Sequence, residues 1–114
     1  MANFIIEEFK KYKVTLYSNN SPGHELYSIH LKLPSGEAVF KFVKGGSYSN
    51  SYLETVNNQN KYEIFFDVER FPHFIDILRY EGPMFFYFNK TDHHGYITTS
   101  DEPVGEGENE PPSS

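Results

Sequence analysis

Short bursts of alternating, aromatic-rich sequence constrain this chain more than any other feature. Eleven Phe and nine Tyr residues fall largely in runs such as KYEIFFDV (61–68) and MFFYFN (84–89). Successive side chains of a strand point to opposite faces, so Phe, Tyr, Ile and Val at a period of two read as strands packed on a core. At 11–17, Tyr12, Val14 and Leu16 oppose Lys11, Lys13, Thr15 and Tyr17. At 26–33, Tyr27, Ile29, Leu31 and Leu33 oppose Ser28, His30 and Lys32. Pro34-Ser35-Gly36 then turns the chain into EAVFKFVK (37–44), which completes a hairpin. Further strands follow at 62–68, 84–88 and 96–100. The run 84–88 is apolar on both faces, which suits a central strand. Residues 3–9 fit either a helix, with Ile5, Phe9 and Tyr12 at helical spacing, or a strand.

One stretch breaks this period. Phe71, Phe74, Ile75 and Leu78 repeat at i, i+3, i+4 and i+7, the stripe of a helix packed on a core. Pro72 suits the first turn, where its missing N–H costs nothing, and Gly82-Pro83 stops the helix. The order is β-β-β-loop-β-α-β-β. This predicts an α+β fold: a mainly antiparallel sheet of about six strands, consecutive strands pairing, with one helix packed on it.

A chain of 114 residues suits one domain, placed at 1–103. The tail 104–114 has no aromatic residue and repeats Gly, Glu and Pro, so it is expected to be disordered. The net charge of −6 belongs to this end of the chain: from Asp101 onward there are five acids and no Lys or Arg, while the preceding hundred residues carry eleven acids against ten bases. Neither an acidic nucleic-acid mimic nor a strongly basic nucleic-acid binder is supported. The chain has no Cys, which excludes disulfides and thiolate metal sites and suits a reducing compartment. No run approaches the ~20 apolar residues of a membrane span, and no secretory signal is legible. A cytoplasmic protein with no membrane association is expected.

No catalytic motif is present. Ser47, Ser49 and Ser51 lack a partner base or a strained elbow. Asp92-His93-His94 reads as a solvated turn, because a metal needs three or four converging ligands. Glu63 and Asp67 share a strand face, but two exposed acids are the ordinary dress of a solvated surface. No metal and no cofactor is expected, and the chain reads as a non-enzyme.

Two groups of residues remain as binding candidates. The segment 45–60 is rich in Gly, Ser, Asn and Tyr, the mixture recognition loops use, with a short helical turn fitting near 52–56. Tyr48 and Tyr52 would anchor a protein partner, with Asn50 and Asn57 beside them. An aromatic sheet face would add to that interface, and a homodimer would cover it. The second group is Lys11, Lys13, Tyr17, His30, Lys32 and Lys41, which share one face if the first three strands are adjacent. Such a face suits a planar or anionic, nucleotide-like ligand or, more weakly, single-stranded nucleic acid. The leading expectation is an interaction module for a protein partner, of the kind a small bacterial or phage accessory protein would be.

Overall fold

The computed structural model describes residues 4–18, 24–45, 50–54, 59–80 and 82–99. Within them the fold is α+β, with eight strands in two sheets and one α-helix. The strands are β1 (Phe4–Phe9), β2 (Lys11–Leu16), β3 (Glu25–Leu33), β4 (Gly36–Val43), β5 (Ser51–Glu54), β6 (Asn60–Asp67), β7 (Met84–Asn89) and β8 (His94–Thr99). The helix α1 (Phe71–Leu78) follows a 3₁₀ turn, Val68–Arg70. The large sheet runs β2-β3-β4-β6-β5 and the small sheet β1-β7-β8.

The alternation explains how these layers pack. In the large sheet Ile29 lies opposite Phe40, and Phe40 opposite Ile64; Phe42 lies opposite Phe66. These residues form one inner face. The helix covers part of it with Phe74 and Leu78, as the i, i+4 stripe predicts. The small sheet covers the rest with Met84, Phe86 and Phe88. Fully buried Phe40 sits at the junction, its ring centroid 4.7 Å from Phe74, 5.5 Å from Phe66 and 5.8 Å from Phe86. Tyr62 reaches Phe86 and Phe88 at 5.1 and 4.9 Å. Each fully buried ring contributes roughly 1.5–3 kcal/mol by burial.

Three features differ from the simple meander that the pattern predicts. The ambiguous first segment is strand β1, and it belongs to the small sheet. A single residue, Lys10, separates it from β2 of the large sheet, so the chain changes layers there. Glu7 helps hold that corner: its carboxylate accepts the Ser35 N–H at 3.2 Å and the Ser35 hydroxyl at 2.7 Å.

The second difference is the pairing of β4 and β6, which run parallel in full register from Gly36↔Asn60 to Val43↔Asp67. Parallel neighbours need a crossover of a dozen or more residues. The segment read as a loop at 45–60 supplies it, and it also supplies β5, an edge strand antiparallel to β6. Residues 52–54 are therefore strand rather than a helical turn. The third difference follows: the strands form two layers, not one sheet. The tail expected to be disordered, 104–114, lies outside the described residues.

No helix among the described residues is long and apolar enough to cross a membrane.

Candidate functional site

The small sheet has an inner face in the core and an outer face of different character. The outer positions on β1 are Phe4, Ile6 and Glu8; on β7 they are Phe85, Tyr87 and Asn89; on β8 they are His94, Tyr96 and Thr98. Ile6, Tyr87 and Tyr96 face one another across the three strands. The rings stack into a ladder: Tyr87 on Tyr96 at 4.6 Å and 12°, Phe4 on Tyr87 at 5.3 Å and 17°. No described element covers this face fully. Phe4, Ile6 and Tyr96 remain 44%, 55% and 39% exposed. An apolar face of this kind on a sheet with open edges is a standing invitation to association. A second apolar stripe, Tyr12, Val14 and Leu16, is exposed on edge strand β2.

The outer face of the large sheet is charged. Register places Lys11, Lys32, Glu37 and Lys61 in one row across β2, β3, β4 and β6. Lys13 and His30 face each other in the next row. Four of the residues expected on a cationic face, Lys11, Lys13, His30 and Lys32, thus come together and line a groove of about 510 Å³. Lys61 and Glu37 join them there. Lys11 directly opposes Lys32, a like-charge pair that disfavours the pairing, while Glu37 lies between Lys32 and Lys61 and opposes both. His30 Nδ1 lies 3.9 Å from Glu37. The other two expected members are on the same face but occupied elsewhere. Lys41 pairs with Glu63 at 3.5 Å and lies 5.7 Å from the Phe65 ring centroid, and the Tyr17 hydroxyl meets Ser28 Oγ at 3.1 Å.

The loop candidates fare differently. Tyr48 and Asn57 lie outside the described residues. Tyr52 is on edge strand β5, opposite Tyr62. Asn50 has an internal task. Its Oδ1 accepts the Phe65 N–H at 2.8 Å and its Nδ2 donates to the His93 carbonyl at 2.8 Å. The side chain thus extends the β5–β6 ladder and ties it to the β7–β8 turn, where His93 has a φ of 55°. Asn50→Ala is expected to cost about 1–2 kcal/mol, since both backbone groups lose a partner. Faster amide exchange at Phe65, with the β3–β4 hairpin unaffected, is the measurement that checks it.

Of the residues considered for catalysis, Ser47 and Ser49 lie outside the described residues, while Ser51, Glu63 and Asp67 are built into the fold. Besides its pair with Lys41, Glu63 lies 3.5 Å from the Ser51 hydroxyl, while Asp67 Oδ2 accepts the Glu69 N–H at 2.9 Å and caps the 3₁₀ turn. Among the described residues no group of three or more His, Asp or Glu is placed to hold a metal. A hollow of about 300 Å³ between α1 and β8 is lined by Phe66, Arg70, His73, Phe74, Ile77 and Ile97.

The sequence showed strands apolar on both faces, but not which outer face would stay open. Lys61 was missed because only the parallel β4–β6 pairing brings it into the row. Comparison with protein-family models, with curated proteins and with solved structures found no match for this chain.

Proposed function

We propose that this chain is a non-enzymatic interaction module that docks a protein partner on the outer face of its small sheet. The stacked ladder of Phe4, Tyr87 and Tyr96, left open to solvent, is the observation that carries this reading. Aromatic rings give large contact area for little conformational entropy, and they dominate the energetics of interfaces. A second copy of the chain is the proposed occupant. A two-fold axis brings the same patch of both copies together, so the apolar row of one copy can cover that of the other. Tyr48, Tyr52 and Asn57 are proposed as further contacts; the segment that carries them includes β5, an edge of the large sheet. The structural uses of Glu63 and Asp67 support a binding rather than a catalytic role. A cytoplasmic setting is proposed from the absence of Cys.

Sedimentation velocity across a concentration series tests this. The expected result is a reversible dimer that becomes monomeric in Tyr87→Ser/Tyr96→Ser. The double substitution removes the Tyr87–Tyr96 and Phe4–Tyr87 stacks, each about 0.5–1.5 kcal/mol beyond the area it buries, but neither residue belongs to the buried core, so the variant should stay folded. A dimer that survives the double substitution would move the seam away from this face. A wild-type monomer at every concentration would exclude the second copy as occupant.

A further inference from the structure

We infer that the groove on the outer face of the large sheet is a binding site for a small anion carrying two or more phosphate groups. This site is separate from the aromatic docking face and does not depend on it. Four lysines, Lys11, Lys13, Lys32 and Lys61, converge there with His30, and among the described residues Glu37 is the only acid lining the groove. The local balance is positive in a chain whose net charge is −6. None of the four lysines has an ion-pair partner among the described residues.

The ordinary explanation for lysines on a sheet is protection of an edge strand against pairing. It covers Lys11 and Lys13, which lie on edge strand β2. It does not cover Lys32 on β3 or Lys61 on β6, because both strands are interior; both oppose Glu37 of β4, and that one carboxylate cannot balance the four lysines. Placing like charges directly opposite, as Lys11 is to Lys32, opposes sheet pairing. A bound anion removes that penalty and converts it into affinity.

The spacing selects the ligand. Lys11 and Lys32 are cross-strand neighbours, ~5 Å apart at their Cβ atoms, while Lys61 lies two strands beyond Lys32, ~10 Å away. A single phosphate cannot meet lysines this far apart, whereas a chain of phosphates can reach Lys11, Lys32 and Lys61 while passing beside Glu37, which lies between the last two on β4. Lysine suits this as a compact charge with three donors on a flexible stem. The groove volume of about 510 Å³ falls within the ~300–1,000 Å³ of small-molecule sites. His30 lines the groove on the same face as the lysines and would meet a ring attached to the phosphates.

Isothermal titration of the full chain with tripolyphosphate, ATP, adenosine and orthophosphate tests the assignment. Tripolyphosphate and ATP should both bind, with affinity falling as salt rises, and orthophosphate should bind at least about tenfold more weakly. Equal affinity for the first two assigns recognition to the phosphates alone. Tighter ATP adds a contact to the ring; both results uphold the site. Lys32→Glu/Lys61→Glu should lower affinity at least about tenfold. Lys11→Gln/Lys32→Gln should lower it too, and serves if the charge reversal disturbs folding. Lys44→Glu, at the far end of β4, is the control for net charge. The inference is overturned if tripolyphosphate does not bind, if Lys44→Glu loses as much as the groove variants, or if orthophosphate binds equally well. It is also overturned if oligo(dT) binds with affinity rising steadily with length while ATP and tripolyphosphate do not, since that is the behaviour of a nucleic-acid groove.

Discussion

Phe40→Ala is expected to destabilise this protein by about 3–5 kcal/mol, the range for truncating a fully buried Phe. The ring is inaccessible to solvent and touches three different elements: Phe74 of α1, Phe66 of β6 and Phe86 of β7. Those neighbours are themselves rigid rings, held by further contacts such as Phe42 with Phe66 at 5.6 Å and with Phe74 at 5.4 Å. They cannot collapse readily into the space left behind, so the cavity term should be near its full value. A domain has only about 5–15 kcal/mol of stability in total, so the variant sits near its unfolding threshold. Urea titration measures this directly, as a lower midpoint at unchanged slope. Phe40→Leu, which keeps most of the volume, should lose less than half as much. A loss under about 1.5 kcal/mol for the alanine variant would show that the helix and both sheets do not meet at this ring.

Gly36→Ala should be comparably severe for a different reason. Gly36 opens β4 with a φ of 154° and faces Asn60 across the parallel pair. A Cβ there would overlap the Asn60 carbonyl oxygen and sit 2.6 Å from its nitrogen. These are backbone atoms of the neighbouring strand, so no side chain can swing aside. The same strand end is held by the Asn60 N–H donating to the Ser35 carbonyl at 2.8 Å, and moving it breaks that bond. The expected loss is about 3 kcal/mol or more. Gly45 provides the comparison. Its φ is 69°, but nothing lies within 4 Å of an added Cβ, so Gly45→Ala should cost only the backbone term, about 1 kcal/mol. Thermal unfolding of the two variants side by side checks the contrast. Equal losses would mean that Gly36 is conserving backbone freedom rather than a close approach of strands.

The two inferred surfaces relate differently to stability. Truncating the aromatic ladder on the small sheet removes exposed area and leaves the core untouched. Neutralising Lys11 relieves its repulsion with Lys32 and breaks no opposite-charge pair, so Lys11→Gln without ligand should leave stability unchanged or slightly raised. Residues held for function at a cost to the fold behave in this way.

Local pattern by itself determined much of the fold. The period of two placed Ile29, Leu31, Phe40 and Phe42 on core faces, and the helical stripe placed Phe74 and Leu78, because each pattern is a property of consecutive residues. It also assigned Lys11, Lys13, His30 and Lys32 to outward positions, since alternation fixes the face of a strand without knowing its neighbours. Only the tertiary structure decided which strands pair. The layer change at Lys10, the placing of β6 between β4 and β5, and the meeting of Lys61 with Lys32 all depend on partners far apart in the chain. The aromatic face was foreseen as a class but not located, because residues such as Tyr87 and Phe86 look alike in sequence. Which of two apolar faces is covered is settled by the energy of packing whole layers together, and that energy has no local signature.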